Sequence, residues 1–107
     1  MTSSTTAAAP LTLPAPHELT VAHAAAVKDS WFGALYAAEP VTGRTVELDL
    51  SEVTELDTAG LQLLLIVYRE VAARGESLTL AGLTEPVRQV LHRVGLREDL
   101  TIGGGDR

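Results

Sequence analysis

The stretch VELDLSEVTELDTAGLQLLLIVY, residues 46–68, decides the fold of this chain. Its first five residues alternate apolar with acidic side chains, which is the period of a β-strand. A polar loop with two apolar anchors, Val53 and Leu56, follows the strand. An apolar helix then begins at Asp57 and Thr58, residue types that accept hydrogen bonds from the unpaired N–H groups of a first helical turn. The stretch therefore predicts strand, loop and helix, with the Thr58 hydroxyl at the positive end of the helix, which favours an added phosphate.

The helix of this stretch is predicted to run from Thr58 to about Arg74, with Gly75 as its C-terminal stop. Its inner face should consist of apolar residues at helical spacing: Leu61, Leu64, Leu65, Tyr68, Val71 and Ala72. Further apolar residues, Leu63, Ile66 and Val67, extend this surface, so either neighbouring helices bury them or part of the surface awaits a partner. The most polar stripe, and therefore the predicted outer one, is formed by Gln62, Ile66, Arg69 and Ala73.

The elements before this unit are shorter. Residues 11–13 predict a strand, and residues 18–20 predict a second strand that returns as an antiparallel hairpin after Pro14 and Pro16. A helix is predicted over residues 21–38, with Thr20 as its cap. Its apolar stripe consists of Val21, Ala24, Val27, Trp31 and Leu35.

The elements after it complete one domain. Residues 77–83 alternate as a last main strand, and Thr84 and Pro86 open a third helix that Gly95 stops. We expect a disordered leader over residues 1–10, the folded domain over residues 11–102 and a flexible tail over residues 103–107, because the two ends are rich in small and polar residues without periodicity.

Strands separated by helices predict an α/β domain with mostly parallel pairing. The strands alternate apolar and polar residues, whereas a parallel sheet covered on both faces would be apolar throughout. The helices should therefore pack on one face, and the face that carries Glu47, Asp49 and Thr79 should remain partly open.

Composition excludes several classes of function. The chain has 107 residues, a net charge of −6 and no cysteine. Its acidity argues against a nucleic-acid surface, which needs a basic stripe. Disulfides, thiol catalysis and thiolate metal sites require cysteine. The sequence shows neither a signal peptide nor an apolar run long enough to cross a membrane, so we expect a cytoplasmic protein without direct membrane insertion.

Enzyme chemistry finds little support in the sequence. Asp49, Glu52, Glu55 and Asp57 are close in the chain, but strand alternation and the loop separate them, so we interpret them as a solvated acidic loop beside a helix cap. The histidines, His17, His23 and His92, lie on separate elements without ligand spacing. Glycine-lysine phosphate loops and dinucleotide fingerprints are missing. We predict a protein that is not an enzyme and needs no metal or cofactor.

Two motifs resemble the signature of STAS domains, which are named for sulphate transporters and anti-sigma-factor antagonists. They are Leu48-Asp49-Leu50-Ser51 and Leu56-Asp57-Thr58-Ala59-Gly60-Leu61. The resemblance extends from about Leu11 to Leu100. It implies a four-stranded, mixed, mostly parallel sheet with about three main helices packed on one face. The chain departs from the family at Thr58, where stand-alone anti-sigma-factor antagonists usually carry Ser.

The resemblance implies a protein-binding function with no catalysis. In the family's antagonists, a partner kinase phosphorylates the hydroxyl residue after the Asp, and the unmodified form binds an anti-sigma factor. The prediction is a partner-switching regulator that binds an anti-sigma factor or serine/threonine kinase and is controlled by phosphorylation at Thr58. The predicted contact residues are Glu55, Leu56, Asp57, Thr58, Ala59, Gly60, Gln62, Ile66 and Arg69.

Two alternatives remain open. MlaB-type STAS subunits, which support the ATPase of ABC phospholipid transporters, also resemble this chain and favour an Asp-Thr pair at this position. In that case Thr58 would be a contact residue that need not be phosphorylated. A scaffold in a chemotaxis or stress signalling complex is the other alternative, and the sequence does not separate it from the switch.

Overall fold

The computed structural model describes residues 9–100, so most of the predicted leader, the last two residues of the predicted domain and the predicted tail lie outside the described residues. The elements in chain order are β1 (Leu11–Pro14), β2 (Glu18–Leu19), α1 (Ala24–Ala37), β3 (Thr45–Asp49), β4 (Glu55–Leu56), α2 (Thr58–Ala73), β5 (Ser77–Ala81) and α3 (Glu85–Arg93). The predicted α/β class with three main helices is confirmed.

The strands form two separate parallel ladders. One has the order β1-β3-β5, and in it Leu48 lies opposite Leu13 on one side and Leu80 on the other. The other ladder pairs β2 with β4. The predicted parallel pairing of the last two main strands is confirmed. The structure has five strands in residues 9–100 instead of four, because the two-residue strand β4 lies in what the sequence indicated to be a loop.

The predicted antiparallel hairpin at the start of the chain is wrong. After β1 the backbone continues in the same direction, because Ala15 N–H donates to Asp49 O (3.0 Å) and extends the β1–β3 pairing. Next, His17 O accepts from the N–H groups of Thr54 and Glu55, which brings β2 beside β4. Pro14 and Pro16 contribute no N–H groups that could support a hairpin ladder.

Strand alternation separates a buried face from an open one, as predicted. Val46, Leu48 and Leu50 are fully buried, whereas Thr79 on the opposite face is exposed. On the buried side, α2 packs against β5 and against α1. Trp31 of α1 is also buried, and its indole Nε1 donates to Pro14 O (2.7 Å), which fixes α1 to the end of β1. The core therefore lies between one face of the sheet and the helices.

Helix α1 begins later than predicted, at Ala24. The Thr20 carbonyl accepts from the N–H groups of His23 and Ala24, and this turn precedes the helix. The predicted Thr20 cap is wrong, because the N-cap residue is His23 and no side chain caps the helix. Val21, which the sequence placed on the buried stripe, is 74% exposed.

The burial pattern of α2 follows most of the sequence prediction. Leu61, Leu64 and Val71 are buried, and so are Leu63 and Val67, in a helix that packs against α1 and β5. Ala72 is exposed, contrary to prediction. The outer stripe is confirmed by the exposure of Gln62, Ile66, Arg69 and Ala73.

A buried charge cluster fixes the C-terminal end of α2. The Glu76 side chain is fully buried and accepts hydrogen bonds from Arg74 Nε (2.8 Å), Arg44 Nη2 (2.6 Å) and Val41 N–H (3.0 Å). Arg74 Nη2 also donates to Ala38 O (2.9 Å). Burial alone would raise the pKa of Glu76, but the hydrogen bonds from Arg74, Val41 and Arg44 outweigh it and hold this pKa below its ordinary value. We refer to Arg44, Arg74 and Glu76 as the Glu76 cluster.

None of the helices in residues 9–100 combines the length and the apolar character that a membrane span requires.

Candidate functional site

The N-terminal end of α2 is built around Asp57. Its Oδ1 accepts from Gly60 N–H (3.0 Å) and thereby caps the helix, as the sequence predicted for a residue of this type. Its Oδ2 accepts from Val21 N–H (2.9 Å), in the loop between β2 and α1. These bonds to Val21 and Gly60 lower the pKa of Asp57 below its usual value. One carboxylate thus joins the helix start to a second loop.

Gly60 allows α2 to begin very close to β2. A Cβ atom at this position would overlap the carbonyl oxygen of Leu19 and would lie 2.7 Å from Leu56 Cδ1. The approach of the helix to the strand therefore requires a residue without a side chain. Because a backbone oxygen defines this contact, the position of the first turn of α2 is fixed relative to the sheet.

Thr58 is the first residue of α2 and is exposed. Its hydroxyl can therefore be reached by another protein without any change in the fold. The partial positive charge of a helix N-terminus lies at the same place. Within residues 9–100, no neighbouring group is arranged with Thr58 as a nucleophile and base would be, and the hydroxyl forms no hydrogen bond.

The surface around Thr58 is acidic. Glu18 and Glu55 are directly opposite each other in the β2–β4 ladder, and both are exposed. Like charges in this position repel each other. Glu18 lies 3.4 Å from His23 Nε2, whereas Glu55 has no such partner among the described residues. In the part of the chain that the structure describes, no group of three His, Asp or Glu residues could hold a metal ion.

The structure places the predicted contact residues in two groups. Glu55, Thr58, Gln62, Ile66 and Arg69 are exposed, and those on α2 form one continuous stripe along the helix. The others are partly or fully covered: Leu56, Asp57, Ala59 and Gly60. Asp57 and Gly60 shape the edge through the cap and the close approach described above.

Two features of the structure could not be found in the sequence: Val21 at this site and the Glu76 cluster at the opposite end of α2. Val21 is exposed beside Asp57, although its apolar character and spacing indicated a buried position. In the sequence, Glu76 looks like an ordinary polar residue after a helix. One of its arginine partners, Arg44, is distant in the chain, and the other, Arg74, is a common residue type at a helix end. The only signal in the sequence for the exposure of Val21 was Thr20, a residue type that can begin a turn before a helix.

Comparisons with known proteins agree with the fold. A family model described as "Mlab, STAS domain" matches residues 4–102. Among solved structures, a sulfate transporter family protein from Wolinella succinogenes is similar, with a TM-score of 0.65 and 21% sequence identity. The alignment covers 80% of this chain and 66% of that one, so this chain spans just under two thirds of its length. A search of curated proteins gives no match.

Proposed function

The chain belongs to the STAS domain family, and from this premise we propose that it is a non-catalytic regulator that binds a protein partner through the N-terminal end of α2. In this proposal it is a cytoplasmic partner switch that binds an anti-sigma factor or a serine/threonine kinase and is released by phosphorylation at Thr58. The observation that carries the proposal is an exposed hydroxyl on the first residue of a helix whose position is fixed by Asp57 and Gly60.

The phosphate would act on the contact and not on the fold. Phosphorylation adds about −1.5 to −2 charges and three acceptor oxygens. A helix N-terminus stabilises negative charge, so the modified domain should remain folded. Glu18 and Glu55 already make this edge acidic, so a partner of the unmodified form binds a negative surface before any phosphate is added. The phosphate would therefore disrupt a close-fitting contact through its size and its cost of desolvation.

A second candidate is favoured by the description of the family model, which names Mlab. In MlaB-type STAS subunits the domain supports the ATPase of an ABC phospholipid transporter. Thr58 would then be a permanent contact residue, and phosphorylation would play no part. Both candidates use the same exposed stripe, so they differ in what happens to Thr58 and not in where the partner lies.

Variants of Thr58 separate the two candidates. The native host supplies a partner by affinity purification with the wild-type domain, and its binding to Thr58→Ala, Thr58→Gln and Thr58→Glu is then measured. The switch predicts that Thr58→Ala still binds, while Thr58→Gln and Thr58→Glu weaken binding at least about tenfold, or about 1.4 kcal/mol. Intact-mass spectra of the domain from the host, with and without phosphatase, should show a phosphorylated form.

Thr79→Glu is the matched control, because it makes the same exchange on the open face of the sheet, where Thr79 is exposed. It should bind as the wild type does, and thermal melts should show that all variants are folded. The transporter candidate predicts that Thr58→Ala and Thr58→Glu lower the ATPase activity of the assembled complex equally. An unmodified Thr58 under all growth conditions, together with this equal loss, would refute the switch.

A further inference from the structure

One carboxylate holds two parts of the chain at the start of α2. Asp57 Oδ1 accepts from Gly60 N–H (3.0 Å) in the first turn of the helix. Asp57 Oδ2 accepts from Val21 N–H (2.9 Å), which lies 36 positions away in the turn before α1. We refer to residues 20–23 as the Val21 turn. A force that moves this carboxylate therefore acts on the helix start and on the Val21 turn together.

The two hydrogen bonds of Asp57 differ in their exposure. The bond from Gly60 is partly buried, whereas the bond from Val21 is exposed to solvent. Water can replace the carboxylate at an exposed N–H group, but a buried N–H group that loses its acceptor stays unpaired at a cost. The bond from Val21 is therefore the one that should break first when the carboxylate is displaced.

The Val21 turn has no strong attachment to α2 apart from this bond. The Val21 side chain is 74% exposed, so packing contributes little to its position. Thr20 O accepts from the N–H groups of His23 and Ala24, but these bonds lie within the turn and the start of α1. His23 Nε2 lies 3.4 Å from Glu18, in a pair that is about half exposed and connects the turn to β2. The contact with α2 thus depends on the Asp57 carboxylate.

A phosphate on Thr58 would compete with Asp57 for the helix start. The free N–H groups of a first helical turn are good donors to phosphate oxygens. Here Gly60 N–H is already bonded to the Asp57 side chain, and Leu61 N–H is bonded to Asp57 O (2.9 Å). Adjacent Cα atoms are about 3.8 Å apart, well within the Debye length of about 8 Å, so salt would not screen the two anions. A phosphate beside an aspartate acts through like-charge repulsion.

We propose that Asp57 transmits phosphorylation of Thr58 to the Val21 turn: the phosphate repels the carboxylate, and Val21 N–H loses its acceptor. This inference rests on the proposed function, because it needs a phosphate at Thr58. The helix start retains a negative charge, so α2 and the fold remain in place. The surface that a partner meets then changes at two positions, at Thr58 and at the exposed side chain of Val21.

NMR spectroscopy of the ¹⁵N-labelled full chain tests the inference, with phosphothreonine incorporated biosynthetically at position 58 so that no kinase is needed. Solvent exchange of the Val21 amide should become at least about fivefold faster than in the unmodified chain, because its hydrogen bond is lost. The Val41 amide is the matched internal control, since it also donates to a carboxylate, that of Glu76, over 3.0 Å. Its exchange rate should change less than about twofold, because the Glu76 cluster lies at the other end of α2.

Variants test whether charge is the cause and Asp57 the route. Thr58→Glu should accelerate exchange of the Val21 amide, whereas Thr58→Gln, which has the same size without the charge, should not. In Asp57→Asn the cap is retained but the repelled charge is absent, so phosphorylation of Thr58 should change Val21 exchange less than about twofold. The comparison of Val21 with Val41 needs no substitution of Asp57, so it decides the matter even if Asp57→Asn does not fold. A Val21 amide that remains protected after phosphorylation, or one that responds equally in Asp57→Asn, would overturn the inference.

The inference and the proposed function can fail separately. If phosphorylation of Thr58 releases the native partner while the Val21 amide remains protected, the proposed function stands and the inference is wrong. If the Val21 amide is released while the partner remains bound, Asp57 does transmit the modification, and the proposed function fails.

Discussion

Replacing Gly60 by Ala should destabilise the domain even though Ala is the better helix former. In the interior of a helix, Ala is favoured over Gly by about 0.5–1 kcal/mol. At Gly60, however, the added methyl would overlap the backbone oxygen of Leu19 and press on Leu56. A backbone oxygen cannot rotate away as a side chain can, so α2 and β2 would have to separate. Overpacking of this kind costs about 1–3 kcal/mol, and we expect a cost near the upper end of this range at Gly60.

The net loss at Gly60 should be about 2 kcal/mol, once the helix preference of Ala is subtracted. Gly33 provides the matched control, because it lies inside α1, is exposed, and an added Cβ would meet nothing within 4 Å. Gly33→Ala should therefore show the helix preference alone and stabilise the domain by about 0.5–1 kcal/mol.

Urea denaturation monitored by circular dichroism measures the free energy of unfolding of both variants, and thermal melts measure their Tm. The loss at Gly60 corresponds to a fall of about 8–16 °C in Tm for a domain of this size, and the gain at Gly33 to a rise of a few degrees. An unchanged m-value would show that the substitution does not alter the surface exposed on unfolding. If Gly60→Ala were as stable as the wild type, or shifted in the same direction as Gly33→Ala, the close approach of α2 to β2 would be refuted.

Three further predictions concern the core, the Glu76 cluster and catalysis. Leu64→Ala should cost about 2–5 kcal/mol in urea melts, because Leu64 is fully buried, and a loss below about 1 kcal/mol would place it outside the core. Glu76→Gln should lower the free energy of unfolding by about 3–5 kcal/mol, because it leaves two buried arginines uncompensated. The control Glu52→Gln, on the surface, should change it by less than about 0.5 kcal/mol. Equal effects of the two variants would contradict the structural role of the Glu76 cluster. Because the pKa of Glu76 is lowered in the folded state, its carboxylate contributes to folding stability above the ordinary Glu pKa. This contribution is lost as the pH falls through the folded pKa. The stability of Glu76→Gln should therefore decline less steeply in acid than that of the wild type. The purified domain should hydrolyse neither ATP nor phosphate esters, and turnover that disappears in Asp57→Ala would show that it is an enzyme.

The main strands and helices could be predicted because their signals are local. Alternation around Val46, Leu48 and Leu50 predicted β3, and their full burial follows that pattern. The Asp57 cap could likewise be predicted, because it depends only on residues at the start of the same helix. Gly75 has a positive φ just after α2, as a C-terminal stop requires.

The features that were missed depend on contacts distant in sequence. Strand β4 has two residues, too few for any period to show, and it exists because β2 pairs with it across 37 positions of the chain. The antiparallel hairpin was wrong for the same reason, since Ala15 bonds to Asp49 and not back to β1. Val21 matched a helical stripe, but the helix begins three residues later. Periodicity assigns a face only where the element itself is present.

Helix α2 is held at both ends, and this affects the thermodynamics of binding. At its N-terminus the Asp57 carboxylate and the Gly60 contact fix the first turn, and at its C-terminus Arg74 joins Glu76 and Ala38. A partner that docks on its outer stripe therefore meets a preorganised surface and orders little backbone on binding. Amide hydrogens of α2 should already exchange slowly in the free domain, at rates set by global unfolding, and a partner should change these rates only through its effect on overall stability.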